Sequence, residues 1–303
     1  WLRNAERALA GAQVEDESRT LPATIALIRG DNAQILGDVI GTLKYTELAL
    51  QLAPEDDLFL RAHAAITLGF TRWATGDLEA ALAALYAWMD DMQKMGNREF
   101  VIASAFAAAD MLVIMGRLDE AEKALRGAIT RASELGPAAE TVTAHHHLGL
   151  AMLAHERGDD DAADQFLQTA AGLGQRTTLI DWAYRWNLAQ ARLHESAGQW
   201  QAALDSLDEA GRSYIKNPIP ILRPGETRKA RIYLKQGLPD KASSWAQARG
   251  LSVMDAVEYQ DEYEYLTLAR VRLAEGALAG VDELLERLLA AAETQKRLES
   301  VLE

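Results

Sequence analysis

Three arginines recur at a constant spacing in the second half of the chain. Arg192, Arg231 and Arg270 each stand between an alanine and an aliphatic residue, and 39 residues separate each from the next. A guanidinium is a planar fork of donors that suits a carboxylate, a phosphate or a polyhydroxyl ligand. In a repeat protein this spacing predicts equivalent positions on successive helices, in steps of roughly 10 Å. The alternative is that each arginine pairs with a nearby carboxylate, such as Glu195, and stiffens the stack.

Aromatic side chains lie in the same predicted helical segments as these arginines. Flat rings beside guanidiniums are what a sugar or an aromatic ligand would contact. We therefore predict a ligand-binding concave wall that comprises Arg192, Arg231, Arg270, Arg185, Trp182, Trp186, Trp73, Phe70, His155 and Tyr263. The competing interpretation is that the large side chains fill gaps between helices rich in alanine.

The sequence has no pattern that predicts catalysis or metal binding. His145, His146 and His147 are consecutive, and consecutive helical residues point about 100° apart, so they cannot converge on one ion. The aspartates at 159–161 lack the glycine and the distal glutamate of a calcium loop. There is no cysteine and no evident triad, carboxylate dyad or phosphate-binding loop. We therefore expect no enzyme activity, no metal and no cofactor in this segment.

The candidate residues must be positioned by a repeated unit that is centred on a glycine. The central glycines are Gly76, Gly116, Gly158, Gly198, Gly237 and Gly276, with a weakly conforming copy at Gly30. The steps between them, starting at Gly30, are 46, 40, 42, 40, 39 and 39 residues. Seven positions before each glycine the residue is small: Ala23, Gly69, Ala109, Ala151, Ala191, Ala230 and Ala269. A period in this range is typical of helical repeat arrays.

Each junction predicts a helix, a tight turn and a second helix. The glycine supplies the left-handed conformation that ends the first helix. Aspartates stand at or near the start of the second helix, where they can cap free amides: Asp77, Asp119, Asp159 and Asp240. Small residues on both helices let the two axes approach closely. We therefore predict an all-α, tetratricopeptide-like solenoid of about seven helix pairs, wound as a right-handed superhelix.

We predict a single helical-repeat domain over residues 1–303. Its parts are 1–53 (a short initial helix and a weakly conforming pair), 54–215 (regular pairs), 216–224 (a connector with three prolines) and 225–303 (C-terminal pairs). The junction at Gly30 predicts helices over 20–29 and 31–52, and the last pair is predicted at 260–275 and 278–302. Because the chain opens on residues that already look helical and lacks an initiator methionine, we expect a fragment of a longer protein.

Charge and hydropathy restrict the partners. The chain carries a formal net charge of −14 at pH 7, and affinity for a phosphate backbone depends on clustered lysine and arginine. Direct nucleic-acid binding by this segment is therefore disfavoured. No run approaches the roughly 18 to 20 apolar residues of a membrane span, and there is no signal peptide. We expect a cytoplasmic protein without a membrane partner.

Several stretches resemble a known family of repeat regions. They are Leu52-Ala53-Pro54-Glu55-Asp56-Asp57-Leu58, Gly76-Asp77-Leu78-Glu79-Ala80-Ala81, residues 183–193, Asn217-Pro218-Ile219-Pro220 and residues 265–271. The alternation of helices resembles tetratricopeptide repeats that are lengthened from roughly 34 to about 40 residues. The stretches themselves resemble the sensor region of MalT-like transcriptional regulators of the LuxR type, over most of the chain.

This resemblance implies a module that senses an effector and self-associates. In the family, a nucleotide-binding module would precede the segment and a helix-turn-helix domain would follow it, and neither is present in this sequence. The implied partner is a small-molecule inducer or a protein bound in the concave groove. The alternative function is a tetratricopeptide-like scaffold for protein–protein interaction.

Overall fold

The computed structural model describes residues 19–177 and 179–303, and its regular elements there are all helical. The prediction of an all-α fold with tetratricopeptide-like helical repeats is confirmed. The chain divides into two compact units. Unit 1 comprises the described residues up to Val101 together with Lys216–Pro220, and unit 2 comprises Ile102–Ile215 and Ile221–Glu303. The predicted short initial helix lies outside the described residues.

Unit 1 is built on helical hairpins. Its helices are α1 (Leu21–Leu36), α2 (Val39–Leu52), α3 (Leu58–Ala74) and α4 (Leu78–Lys94). The helix α5 (Arg98–Ile114) contains the boundary between the two residue ranges. A core of small and aliphatic side chains, including Ala23, Ala49, Leu60 and Ala64, joins α1, α2 and α3.

Unit 2 continues the alternation of helices. After α5 come α6 (Leu118–Leu135), α7 (Pro137–Glu140), α8 (Ala144–Glu156), α9 (Asp160–Gly174), α10 (Trp182–Ser196), α11 (Trp200–Ser213), α12 (Gly225–Lys235), α13 (Pro239–Arg249), α14 (Glu262–Glu275), α15 (Val281–Thr294) and α16 (Leu298–Leu302). Short 3₁₀ turns at Thr141–Thr143 and Tyr259–Asp261 lead into α8 and α14. Residues 214–224 contain no helix, because their prolines cannot donate the backbone hydrogen bonds of a helix interior.

The predicted glycine junctions adopt one recurring turn. The six regular glycines, from Gly76 to Gly276, have φ between 70° and 89°. At the first of them the Gly76 amide donates to the carbonyl of Trp73 at 3.1 Å, and the Asp77 amide donates to that of Arg72 at 2.9 Å. The same pair of bonds recurs at the other five glycines. These two hydrogen bonds satisfy carbonyl groups that the end of the helix would leave without a partner. They require a residue in the left-handed conformation.

Small residues on the two helices of a hairpin are buried together, as the sequence predicts. Ala151, Ala191 and Ala230 are at most 1% exposed. Their counterparts Ala163, Ala203 and Ala242 are at most 3% exposed. At such positions a larger side chain would push the helix axes apart or force neighbouring side chains out of their preferred rotamers.

The first junction lies at Gly37, so the prediction of a junction at Gly30 is wrong. Gly30 is inside α1, where a Cβ atom would lie 2.4 Å from Oγ1 of Thr46 on α2. Gly37 has φ 78° and ends α1 with the same two backbone bonds as the other junctions. Gly30 therefore allows α1 and α2 to approach each other closely, and the turn that ends α1 is at Gly37, seven residues later.

The predicted helix over 278–302 is also wrong, because it is two helices. Helix α15 ends at Thr294, and α16 begins at Leu298. Lys296 between them has φ 54°, and its amide donates to the carbonyl of Glu293 at 3.1 Å. The Arg297 amide donates to the carbonyl of Ala292 at 2.9 Å. This is the turn of the other junctions with a lysine in the glycine position.

None of the helices in the described ranges combines the length and the apolar character needed to cross a lipid bilayer.

Two glycine-to-alanine substitutions in unit 2 should change stability in opposite directions. Gly198→Ala places a Cβ on a residue with φ 70°, which should lower the free energy of unfolding by about 1–2 kcal/mol. Gly127→Ala lies inside α6 with no atom within 4 Å of the new Cβ, so it should raise that free energy by about 0.5–1 kcal/mol. Denaturant unfolding of both variants measures the difference. Equal effects would contradict the assigned turn.

Candidate functional site

Two of the predicted site residues lie in unit 1 and pack against each other. The rings of Phe70 and Trp73, both on α3, are stacked with centroids 6.4 Å apart. Trp73 is 2% exposed. Its ring therefore fills space inside the unit, as the competing interpretation of the aromatic residues describes.

A second group of predicted residues forms an aromatic cluster around a buried histidine in unit 2. Trp182 stacks on His145 with centroids 5.9 Å apart and contacts Trp186 at 5.5 Å. Phe106 of α5 meets the His145 ring edge to face at 4.7 Å. Gly174, at the end of α9, makes room for Trp182, because a Cβ there would lie 2.0 Å from the indole ring. The cluster joins α5, α8 and α10.

Arg185 closes this aromatic cluster with two ion pairs. Its Nε donates to Asp181 and its Nη1 to Asp110, both at 2.8 Å. Its guanidinium also lies 4.3 Å from the centroid of the Phe106 ring. With both carboxylates engaged and the side chain 19% exposed, Arg185 ties α10 to α5. Truncation of such a partly buried pair would leave a charge without its partner.

The three consecutive histidines do not converge on one point, although His145 and His146 both contact Phe106. His145 lies in the aromatic cluster, Nε2 of His146 donates to the carbonyl of Ile102 at 2.8 Å, and His147 lies beside Phe166. Burial, followed by the charge of Arg185, lowers the pKa of His145 to about 3. Burial also lowers the pKa of His146 to about 4. Across the described ranges no group of three or more His, Cys, Asp or Glu residues could hold a metal ion.

The first arginine of the periodic set pairs with a carboxylate on the preceding repeat. Nη2 of Arg192 lies 2.5 Å from Oε1 of Glu156. Glu195, the carboxylate named as the alternative partner, instead accepts from Lys235 at 2.7 Å. His155 lies beside this pair in sequence, and its Nδ1 is 3.7 Å from Oδ1 of Asp160.

The other two periodic arginines share one carboxylate. Nη1 of Arg231, on α12, donates to both oxygens of Glu303, at 2.5 and 2.7 Å. Nη2 of Arg270, on α14, donates to Oε2 of Glu303 at 3.0 Å and to its backbone oxygen at 2.9 Å. Burial acts to raise the pKa of Glu303, but the guanidiniums of Arg231, Arg270 and Arg223 together lower it. The repeat spacing thus brings two guanidiniums to a single anionic group.

Tyr263 lies between two guanidiniums. Arg231 is 3.8 Å and Arg223 is 5.1 Å from the centroid of its ring. Nε of Arg231 also donates to Oγ1 of Thr267 at 2.7 Å. These contacts fix the Arg231 side chain against α14, because the ring face attracts the cation and the hydroxyl accepts its proton.

Two further arginines complete this group, and the sequence reasoning did not select them. We refer to Arg192, Arg223, Arg228, Arg231 and Arg270 as the arginine cluster. Arg223 lies in the proline-containing connector, and Arg228 lies three residues before Arg231 on the same helix. A spacing of three residues places Arg228 beside Arg231 on the helix surface. That spacing was the one signal in the sequence that would have identified it.

Arg228 has the fewest hydrogen-bond and ion-pair partners in the arginine cluster. Its Nη2 makes a 3.5 Å contact with the carbonyl of Leu188. No carboxylate of the described residues lies within 4.0 Å of it, although the side chain is half-buried. Burial lowers the pKa of Arg228, and the like charges of Arg192 and Arg223 lower it further, while Tyr263 and the Glu195 carboxylate oppose this lowering.

Two of the carboxylates that pair with the arginine cluster come from a short segment after α15. We refer to residues 297–303 as the acidic strap. Arg297 at its start is 1% exposed, forms an ion pair with Glu262, and lies 4.6 Å from the centroid of the Tyr259 ring. Farther along, Oε1 of Glu299 is 2.7 Å from Nη2 of Arg223. The strap is thus anchored by a buried arginine and contacts the cluster through Glu299 and Glu303.

The hairpins and their glycine turns define a helical-repeat protein of the tetratricopeptide-like class. The family model of the MalT-like TPR region matches residues 23–303, and the chain belongs to this family. A search of the curated proteins found no match.

Two solved structures share the fold at low sequence identity, and a third is less similar. The crystal structure of a Rap protein complexed with competence and sporulation factor has a TM-score of 0.58 at 14% identity, and the match covers 96% of this chain and 79% of that one. The apo form of RapI has a TM-score of 0.53 at 13% identity, with 98% and 81% covered. A tetratricopeptide repeat protein from Parabacteroides merdae has a TM-score of 0.47 at 12% identity, with 93% and 100% covered.

Acid should destabilise unit 2 through the buried histidines. The pKa of His145 is lowered by folding to about 3 and that of His146 to about 4. Their neutral forms are therefore favoured in the folded state. This stability is fully present above the unfolded pKa of about 6.5 and is lost as the pH falls toward the folded values, by up to about 1.4 kcal/mol per pH unit for each ring.

His145→Phe should remove part of that dependence. The slope of unfolding free energy against pH, measured by denaturant titration between about pH 6 and 4.5, should fall by about 1 kcal/mol per pH unit. The control His194→Gln alters a half-exposed imidazole that contacts Gln199 and should reproduce the wild-type profile. A slope that is the same in wild type and His145→Phe would show that burial of this ring does not control the acid response.

Proposed function

We propose that this chain is the effector-sensing and self-association module of a MalT-like regulator of the LuxR type. In this proposal the arginine cluster receives the effector. The observation that carries it is the sharing of one carboxylate by Arg231 and Arg270, which stand 39 residues apart on helices of successive repeats. Membership of the MalT-like family supports the regulatory part of the proposal.

The geometry suits recognition of an anionic group. The side chains of Arg231 and Glu303 are 13% and 17% exposed, so their ion pair is largely shielded from water. Charge-assisted hydrogen bonds in such surroundings are stronger and more directional than those on an open surface. A ligand carboxylate or phosphate in the place of the Glu303 carboxylate would meet the same donors, with Tyr263 beside them as an apolar ring face.

Binding at this position would connect successive repeats. Arg231 is on α12 and Arg270 on α14, and these two helices contact each other. A ligand that bridges both arginines binds one relative arrangement of the helices better than another, and it shifts the population toward that arrangement. In a repeat protein, each unit transmits such a shift to its neighbour through their shared interface. We propose that self-association responds to this shift.

The second candidate function is a scaffold for a protein partner. It is favoured by the similarity of the fold to that of a Rap protein complexed with competence and sporulation factor. For this chain the scaffold would use the same helical hairpins, but its partner would be a protein and no small molecule would be needed. Co-purification of one protein at a stoichiometric ratio, without any response to small molecules, would favour this function.

A ligand screen tests the sensing proposal. Sugars, organic acids and nucleotides are added to the purified protein at constant ionic strength, and the melting temperature and the mass by light scattering are measured. We expect one class of ligand to raise the melting temperature, because a ligand at about 100 times its Kd adds about 2.7 kcal/mol to the folded state. The same ligand should change the mass.

Arg231→Met should weaken the response about 10-fold or more in ligand concentration, because it removes the central donor and keeps the length of the side chain. Arg212→Met is the matched control, since Arg212 is 65% exposed and, among the described residues, its ion pair is with Glu209 of its own helix. An unchanged response in Arg231→Met, or the absence of any ligand that stabilises the protein, is the result that would refute sensing by this cluster.

A further inference from the structure

The arginine cluster has more positive than negative charge. Its five guanidiniums form ion pairs with three carboxylates, those of Glu156, Glu299 and Glu303, and the charge of Glu195 also acts on Arg228. The guanidiniums outnumber these four carboxylates in a chain whose formal net charge is −14. Guanidiniums that repel one another without compensation destabilise the folded state, so the excess marks a place where an anion would be stabilising.

Two donors in the cluster show where the additional anion would bind. Nη2 of Arg231 is buried and has no hydrogen-bond partner within the described ranges. Arg228, one turn earlier on α12, contacts the carbonyl of Leu188 and has no carboxylate of the described residues within 4.0 Å. Arg231 pairs with Glu303, and the three-residue spacing places Arg228 beside Arg231 on the helix surface. A buried donor without an acceptor costs about 1–3 kcal/mol, and an incoming acceptor would recover that cost.

Beyond Arg297 the acidic strap makes ion pairs and partly buried apolar contacts. Its helix α16 has no buried residue, and a cavity of about 450 Å³ lies beside it, lined among others by Leu266, Leu285 and Val301. Leu298 contacts the turn at Gly116, where a Cβ atom would lie 2.4 Å from Leu298 Cδ2. Beyond Arg297 the strap therefore contributes apolar side chains that are only partly buried, with Leu298 at the Gly116 turn and Val301 at the cavity.

The start of the strap is more deeply buried than its two acidic positions. Arg297 is 1% exposed and paired with Glu262. Glu299 and Glu303 contact arginines whose side chains are 33%, 13% and 46% exposed. Arg297 thus acts as a hinge that keeps the acidic positions near the cluster at high effective concentration when they are released.

We infer that the arginine cluster is the binding site of a small organic anion with at least two negative charges, and that Glu299 and Glu303 occupy the site until this anion displaces them. The inference deepens the proposed sensing function and rests on it. One negative group of the anion would accept hydrogen bonds from Arg228 and from Nη2 of Arg231. Its second negative group would replace the Glu303 carboxylate between Arg231 and Arg270. The half-buried position of Arg228 favours a small anion over a second peptide segment.

Displacement follows from competition for the same donors. Arg231 and Arg270 cannot hold a ligand anion and Glu303 together without bringing like charges into contact, which is unfavourable at short range. Binding of the anion therefore releases the strap beyond Arg297. In this proposal, anion binding at the cluster changes the position of the acidic strap.

Titration calorimetry with two probe anions, pyrophosphate and citrate, tests the inference at constant ionic strength. The two probes separate phosphate from carboxylate ligands of the same charge class. The variant Glu299→Gln/Glu303→Gln removes the internal competitors, so it should bind at least one probe about 5-fold or more tightly than wild type. The control Glu134→Gln/Glu293→Gln makes the same charge change at exposed residues that have no ion pair in the described ranges, and it should bind like wild type.

Two arginine variants complete the experiment. Arg228→Met and Arg223→Met should each weaken binding of the probe about 10-fold or more, with far-ultraviolet circular dichroism to confirm that both variants are folded. Equal affinity in wild type and in Glu299→Gln/Glu303→Gln would overturn the occupation of the site by the strap. Binding that survives in both folded arginine variants would overturn the location of the site.

The outcome also separates this inference from the proposed function. If a neutral ligand alone stabilises the protein and changes its mass, while both probes fail to bind the strap variant, the anion inference is wrong and sensing stands. If no ligand of any class binds and a protein partner is recovered instead, both are wrong.

Discussion

The contact between small side chains on the two helices of each hairpin is the constraint on which the rest of the structure depends. Ala191 and Ala203 are 1% and 0% exposed, and Ala230 and Ala242 are both 0% exposed. Each pair lets two helix axes lie close together, and a left-handed glycine between them allows the chain to reverse at once. Because the hairpins are nearly the same length, the same position on each first helix returns after about one period.

The arginine cluster is a consequence of that period. Arg192, Arg231 and Arg270 immediately follow the small residues Ala191, Ala230 and Ala269. The contact that buries each alanine therefore also fixes the direction in which the next side chain points. Two of the three arginines reach the same carboxylate, and the third reaches Glu156 of the preceding repeat. The chain as a whole is negatively charged, but the arginine cluster is a local region of positive charge.

The sequence predicted the parts of the fold that depend on local chemistry. The glycines from Gly76 to Gly276 end helices because no other residue adopts the left-handed conformation as readily. The prediction of helix ends failed where a left-handed residue is not glycine, and where a glycine lies inside a helix. Lys296 adopts φ 54° without being glycine, and Gly30 lies within a helix because Thr46 approaches it closely. The close approach of Thr46 at Gly30 is a contact between helices, which no local pattern in the sequence records.

The site was predictable in part for the same reason. The period identified Arg192, Arg231 and Arg270, but it selects only residues that repeat. Arg223 lies in a connector outside the period, and Glu303 is 72 residues from Arg231 in sequence. Aromatic residues were a poor guide, because a large ring serves the interior as well as a ligand. Trp73 is buried, and Trp182 packs on His145.

The central claim is that the acidic strap is bound to the arginine cluster through Glu303. A double-mutant cycle with Arg231→Met and Glu303→Gln, measured by denaturant unfolding, tests it directly. Because the two side chains are 13% and 17% exposed, the account predicts a coupling energy of about 1–2 kcal/mol. The exposed pair Arg192 and Glu156, at 40% and 47%, should give only about 0.2–0.5 kcal/mol. A coupling energy between Arg231 and Glu303 below about 0.3 kcal/mol would contradict the account.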